Sequence, residues 1–332
     1  MASVTPSELP SLVAETGYPV LEEAYDRQPL YFPMLGEVRP ADGAELTAPK
    51  LGHRELINPG MQRHAEIEVG QELPAGNAYE GYTVYTKIKK YARRMDIPRE
   101  MMEAANGRAA VVSMVQRAAM SWGELAAIQK DEFAAGMLQK GTLTAGSKKY
   151  FDGSFAGNVD ANPTVIFNGL PLFDGAHTIT GSTSTYSNHT VSSALSATNL
   201  DTVLTTMRVT NAIDERGEKI LNEPNILVVP VNLEGTARRI MESELLPGTG
   251  NNDTNWLRGR LQVIANPYLT DDTDAWWVGH STRGLQFFDS GAPVLETQYD
   301  ARTQTWCVTS TFYFGGSVKD WRGWHNCNKA AS

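Results

Sequence analysis

One long stretch of helical pattern, at residues 108–140, constrains the fold of this chain more than any other feature. Apolar side chains recur there at intervals of three and four, which places them along one face of a helix. They are Val111, Val115, Ala118, Trp122, Leu125, Phe133 and Met137. At 1.5 Å per residue, such a helix would extend about 50 Å before Gly141 ends it. A helix of this length is typical of a strut that crosses a flat domain.

The segment before this helix predicts long β-strands with little core of their own. Residues 41–96 alternate polar and apolar side chains, as strands do. In the run "YTVYTKIKK", the apolar face carries Tyr82, Val84 and Ile88, and the opposite face carries Thr83, Tyr85, Lys87 and Lys89. Val69 belongs to the same apolar face, which therefore needs cover from another chain.

The first 40 residues predict an arm that lies on another surface. They combine scattered apolar side chains with prolines, so that only a short helix at about 19–28 is expected. The apolar side chains Leu12, Leu21, Tyr25 and Phe32 are too many for a disordered tail and too few for a domain.

The second half of the chain predicts an α/β region followed by a β-hairpin. Residues 225–230 read as a buried strand, a helix is expected at about 232–245, and two further strands lie in "LQVIANP" and "AWWVG". The hairpin has its turn near Asp300. On its second strand Trp306, Val308, Phe312 and Phe314 share a face.

The bulk composition excludes several classes of protein. The 332 residues carry a net charge of −9, which gives no general attraction to nucleic acid. Cys307 and Cys327 are the only cysteines, too few for a disulfide framework, so we expect free thiols in a reducing cytoplasm. No apolar run approaches the roughly 18 residues that a membrane helix needs, and no membrane partner is expected.

Motifs that carry chemistry are nearly absent. His64, Glu66 and Glu68 alternate on one strand face and are weak candidates for a divalent metal, although a solvated charged face is the simpler explanation. The stretch 141–148 inverts the order of a phosphate-binding loop and follows a helix rather than a strand. We therefore predict no catalytic residues, no cofactor and no enzyme.

A nucleic-acid interpretation of residues 82–94 stays open at this point. Tyrosines interleaved with lysines and arginines could stack bases and bind phosphates, as single-strand-binding proteins do. The strand alternation described above argues for an ordinary solvated face instead.

The order of segments, more than any motif, resembles the Hong-Kong-97-type major capsid proteins of tailed bacteriophages, and within them the Mu-like prophage major head subunit. Similar stretches include "YTVYTKIKKYARRMDIPREMMEAANG", "NGLPLFDGAHTITG", "EPNILVVPVNLEGTARRIM" and "FYFGGSVKDWRGW". The resemblance implies an α+β fold with four parts. These are an N-terminal arm (1–40), an extended β-loop (41–97), a peripheral domain with spine helix 108–140 (98–160 and 285–316) and an α/β axial domain (161–284 and 317–332).

The resemblance also implies a function and partners. It implies a structural virion protein that assembles in the host cytoplasm into hexamers and pentamers of an icosahedral shell around double-stranded DNA. The implied partners are portal and scaffolding proteins, with a decoration protein as a further candidate. An encapsulin-like compartment with the same fold is the alternative. The expected inter-subunit contacts are Leu12, Leu21, Tyr25, Phe32, Val69, Tyr82, Val84, Tyr85, Lys87, Ile88 and Lys89.

Overall fold

A computed structural model describes residues 8–41, 52–57, 82–103, 107–143, 164, 166, 169–179, 183–245, 253–270 and 274–327. The described chain divides into two compact units. Unit 1 comprises Met1–Gly52, Lys87–Ala135 and Phe287–Gly316, and unit 2 comprises His53–Thr86, Gly136–Gln286 and Ser317–Ser332. The four-part division expected from the sequence stays a prediction.

The long helix is present as predicted. It runs over Gly107–Gln139, within one residue of the expected bounds at each end. The described helices are α1 Leu9–Leu12, α2 Tyr18–Arg27, α3 Phe32–Leu35, α4 Arg99–Glu103, α5 Gly107–Gln139, α6 Ala197–Thr205 and α7 Glu234–Glu242. A π-helical turn, Val13–Gly17, joins α1 to α2, so the arm is helical over a longer stretch than the sequence predicted.

The described strands form two five-stranded sheets and two small ones. In chain order they are β1 Glu37–Pro40, β2 Gly52–Ile57, β3 Tyr82–Lys87, β4 Lys89–Pro98, β5 His177–Thr178, β6 Thr185–Tyr186, β7 His189–Thr190, β8 Ile226–Pro230, β9 Gln262–Asn266, β10 Trp276–Gly279, β11 Leu285–Asp289, β12 Val294–Asp300, β13 Thr305–Val318 and β14 Trp324–Cys327.

The first large sheet is built around β13, the second strand of the predicted hairpin. Its order is β1-β11-β13-β12, and β4 also pairs with β13. Both β12 and β4 run antiparallel to β13. The residues Val308, Phe312 and Phe314 are buried on one face of β13, as the alternation predicted.

The second large sheet lies in unit 2 and has the order β7-β14-β10-β8-β9. Strand β8 is apolar and buried throughout, and its parallel neighbour β9 follows it after α7. Helices α6 and α7 contribute apolar side chains to the same core, including Leu200, Val203 and Ile240. The predicted α/β character of this region is confirmed.

The buried stripe of α5 differs from the predicted one. Val111 and Val115 are buried, but Leu125 is 55% exposed. The small residues Ala119, Ala126 and Ala127 are buried instead. The stripe is shifted because α2 lies against α5 at Gly123, where only small side chains permit so close an approach.

Candidate inter-subunit surface

The arm packs on its own chain. Leu12, Leu21, Tyr25 and Phe32 are all no more than 6% exposed in the isolated subunit. Leu12 belongs to a buried cluster with Val111 and Val115 of α5, and Phe32 makes edge-to-face contacts with Phe287 and Phe314. Unit 1 thus supplies the cover that the sequence assigned to another chain, and contact of these side chains with a neighbouring subunit stays a prediction.

A buried lysine of α5 binds the arm and the sheet together. Lys130 is completely buried, and its Nζ donates to Tyr25 Oη at 2.8 Å and to the carbonyl oxygen of Gly291 at 2.6 Å. Its third partner is Asp289 Oδ1, at 2.6 Å. The ammonium thus has three acceptors, which offset the cost of burying it. Burial lowers the pKa of Lys130, and Asp289 opposes this shift.

The next residue, Asp131, holds the start of helix α3. Its Oδ1 accepts the backbone N–H groups of Tyr31 and Phe32 at 2.9 and 2.8 Å, and Oδ2 has no hydrogen-bond partner among the described residues. Burial raises the pKa of this carboxyl to about 6, although the two N–H groups lower it. Because the ordinary pKa of this carboxyl is 3.8, Asp131 changes its charge at a pH well above the usual range.

We expect the Asp131→Asn variant to have a flatter stability profile between pH 4 and 6. In this range the folded wild type holds a proton that the unfolded chain has released, so wild-type stability falls as the pH rises from about 4 to about 6. Asparagine keeps the acceptor for both N–H groups and carries no charge. Urea unfolding at several pH values would measure the difference, with the exposed neighbour Glu132→Gln as control. Parallel profiles for wild type and Asp131→Asn would contradict the prediction.

Strand β3 and the following residue, Ile88, also bury their apolar face within the chain. Val84 is 7% and Ile88 1% exposed, and Tyr82 donates its hydroxyl to the carbonyl oxygen of Lys319 at 2.9 Å. Burial, followed by the charge of Asp320, raises the pKa of Tyr82. The apolar face predicted to need a neighbouring chain is thus covered at these positions. Whether they also contact a neighbouring subunit stays a prediction.

A polar cluster lies behind this strand in unit 2. Thr86 Oγ1 and Ser317 Oγ are 2.6 Å apart, and Gln286 Nε2 donates to both at 3.0 Å. All three side chains are buried. A shift of one residue in the pairing of β11 with β13 would separate Gln286 from Ser317. The cluster therefore stabilises the register of these two strands.

The opposite face of this strand is partly buried where it is described. Lys87 and Lys89 are half-buried, and burial, then the charge of Lys87, lowers the pKa of Lys89. The side chain of Tyr85 lies outside the described residues, as do Val69, His64, Glu66 and Glu68. Among the residues that are described, no cluster of three or more His, Cys, Asp or Glu side chains could hold a metal ion.

The contacts of Tyr82 and Tyr91 within the chain weaken the base-stacking interpretation of residues 82–94. Tyr91 stacks on Phe312 with ring centroids 5.0 Å apart, and Tyr82 is bonded within unit 2 as described above. The cations Lys90, Arg93 and Arg94 remain exposed on β4. The exposed chemistry of this strand is therefore basic rather than aromatic.

Unit 2 contains a buried ionic network at the end of the chain. Arg322, 3% exposed, binds Glu215 Oε1 at 2.8 Å and Asp320 Oδ1 at 3.2 Å, and Arg283 binds Asp320 Oδ2 at 3.0 Å. Although burial raises the pKa of Asp320, Arg322 and Arg283 keep it below its ordinary value. The network stabilises the return of the chain into the second sheet.

An aromatic stack adjoins the network. The His177 and Trp321 rings stack 4.3 Å apart, and the Arg322 guanidinium lies 4.7 Å from the Trp321 ring centroid. Asn188 Oδ1 is 2.9 Å from His177 Nε2. Burial lowers the pKa of His177 to about 4, so the ring is neutral at pH 7. A neutral buried histidine with amide and carbonyl partners is a structural group.

Comparison with known proteins identifies the family of this chain. The profile of the family described as "Phage capsid protein" matches residues 81–326, well over half of the chain. The chain belongs to the phage capsid protein family. This capsid protein is thus a structural component of the virion, and not an enzyme, as predicted. A search of curated proteins found no match.

A solved capsid structure supports the fold of the capsid protein. A chain from the capsid of a native GTA particle matches with a TM-score of 0.50 and 11% identity over 91% of each chain. The capsid of cyanophage P-SCSP1u matches with a TM-score of 0.48 and 14% identity over 92% of this chain and 90% of that one. The procapsid of bacteriophage JBD30 gives 0.45 and 12%, over 99% and 77%. The predicted α+β Hong-Kong-97-type capsid fold with a long spine helix is confirmed.

Two features of the capsid protein were missed from the sequence. The adjacent charged residues Lys130 and Asp131 of α5 are both buried. The ion pair of Arg322 with Glu215 joins residues distant in the chain. The available signal was the position of Lys130 between Ala126 and Ala134 on the helix, where a four-residue step continues the buried stripe.

Across the described residues, no helix is both long and apolar enough to span a bilayer.

Proposed function

We propose that this capsid protein is the major head subunit of a tailed bacteriophage or prophage, most similar to the Mu-like head subunits. It assembles into hexamers and pentamers whose shell encloses packaged double-stranded DNA without sequence specificity. The observation that carries the proposal is the family match over residues 81–326, together with a 33-residue spine helix in the matching fold. The resemblance of stretches such as "NGLPLFDGAHTITG" supports the Mu-like assignment.

The proposal includes the partners that such a shell needs. These are a portal protein and a separate scaffolding protein, with a decoration protein as a further candidate. Purified subunit, with and without co-expressed scaffolding protein, should form capsomers, tubes or shells in electron microscopy and light scattering. A subunit that stays monomeric under all of these conditions would refute the proposal.

The extended loop (41–97) is proposed as a clamp between subunits. Deleting residues 60–78 and rejoining the chain with a short turn should leave a folded subunit that fails to form stable shells. Circular dichroism reports the folding and sedimentation reports the assembly. A variant in which the same residues are replaced by an equal number of Gly and Ser residues controls for loop length and should fail in the same way. Shells of normal size from the deletion variant would exclude the clamp.

A further inference from the structure

The two faces of the second large sheet differ in chemistry. The face that packs against α6 and α7 is apolar and includes Trp276, Val278 and Cys327. Because successive side chains of a strand point to opposite faces, Trp277 and Asn326 lie on the other face. They are directly opposite each other, since Trp277 of β10 is the cross-strand partner of Asn326 of β14. Both residues are completely buried.

The side-chain polar atoms of this cross-strand pair have no hydrogen-bond partner among the described residues. They are Oδ1 and Nδ2 of Asn326 and Nε1 of Trp277. The neighbouring Trp276, by contrast, donates its Nε1 to the carbonyl oxygen of Ser193 at 2.8 Å. The β-carbons of directly opposed residues lie about 4.5–5.5 Å apart, so the side chains of Asn326 and Trp277 adjoin. Because folded proteins are only marginally stable, leaving these atoms dry would be a serious cost.

The same face carries a further buried amide. Asn266 of β9 is paired with Pro230 of β8, two residues beyond Val228, which is the other cross-strand partner of Trp277. Its Oδ1 accepts the backbone N–H of Tyr268 at 2.9 Å, whereas its Nδ2 has no partner in the described part of the chain. The polar character of this face is therefore not confined to one pair of residues.

We propose that this face of the sheet holds a structural water molecule between Asn326 and Trp277. A water molecule accepts the hydrogen bond of Trp277 Nε1 and has further donors and acceptors for the amide of Asn326. Buried water in proteins has two to four polar partners, and this pair alone offers three atoms. Neither side chain is charged, so the site suits a neutral molecule rather than an ion. The water links β14 to β10 in addition to the backbone ladder.

A double-mutant cycle tests the link. Asn326→Leu and Trp277→Phe each remove one side of the bridge and leave the other polar group without a partner. Each should raise the equilibrium constant of unfolding by about tenfold, measured by urea unfolding and circular dichroism. The double variant has no orphaned group, so its effect should be at least about threefold smaller than the product of the two single effects.

The opposite face of β10 supplies the matched control. Trp276→Phe removes an indole N–H whose partner is the carbonyl oxygen of Ser193. Its effect should therefore multiply with that of Asn326→Leu without coupling. A product of effects for Trp277→Phe with Asn326→Leu as well would overturn the bridge. Stabilisation of the subunit by Asn326→Leu would show that the amide is dry, which also overturns it.

A high-resolution density map of the wild-type protein gives a second measurement that needs no variant. It should show a peak within about 3.2 Å of Trp277 Nε1 and of an amide atom of Asn326. A direct hydrogen bond between the two side chains with no peak between them would overturn the proposal. Replacement of the peak by bromide in a soaked crystal would identify an anion site and overturn the assignment to water.

Discussion

Replacing Arg322 by Met is expected to lower the free energy of unfolding by about 3–5 kcal/mol. The substitution leaves Glu215, 8% exposed, without its partner at 2.8 Å. Asp320 loses one of its two arginines. Removal of one partner of a buried charge pair is among the few single changes with so large an effect, because the carboxylate has already lost water and then also loses the guanidinium. Chemical unfolding followed by tryptophan fluorescence measures the loss, since Trp321 lies beside the network.

An exposed ion pair of the same unit provides the control for Arg322→Met. Arg208 binds Glu223 at 2.9 Å, but the two side chains are 40% and 57% exposed. Arg208→Met should cost less than about 1 kcal/mol. Adding Glu215→Gln to Arg322→Met should recover part of the lost stability, because it removes the carboxylate that has lost its arginine. Equal effects of Arg322→Met and Arg208→Met would show that the buried network contributes no special stability.

The Gly123→Ala variant is expected to release the arm from α5 and to cost about 1–3 kcal/mol. A methyl group at this position would collide with the carbonyl oxygen of Leu21 and would lie 3.1 Å from the amide nitrogen of Tyr25. These are backbone atoms of α2, which cannot yield as a flexible side chain can. The helix α2 must therefore move away from α5. Trypsin cleavage at the exposed Arg27 should become faster in the variant.

A second glycine in a helix gives the matched control. Gly235 of α7 has open space where a Cβ would be added. Gly235→Ala should therefore leave arm cleavage unchanged and stabilise the subunit by up to about 1 kcal/mol, through the helix propensity of alanine. If Gly123→Ala behaved like Gly235→Ala in both measurements, the close approach of α2 to α5 would be excluded as a determinant of arm position.

The sequence predicted the elements well and their partners poorly. The bounds of α5, the buried strand β8 and the turn after β12 follow from periodicity and turn residues, which are local properties. Alternation shows which face of a segment needs cover, but not which surface supplies it. The arm residues Leu21 and Phe32 were accordingly assigned to a neighbouring chain, whereas both are buried within their own chain, where Phe32 contacts Phe314 of β13.

The buried charges show a second limit of sequence reasoning. Lys130 and Asp131 are adjacent on α5, and each is engaged by backbone or side-chain groups about a hundred residues or more away, including Tyr31 and Gly291. A local pattern contains no information about such partners. The family, by contrast, could be recognised from the order of segments, because that order is a property of the whole chain.

The cluster that holds Leu9 and Val308 together has a consequence for synthesis on the ribosome. These residues lie about 300 positions apart in the chain, and both are buried in the same core of unit 1. Translation at about 5–20 residues per second takes tens of seconds to cover that distance. During that time the arm has no β13 against which to fold, because β13 is synthesised long after the arm. A nascent subunit therefore cannot complete unit 1, and incorporation into a growing shell must wait until β13 has been synthesised.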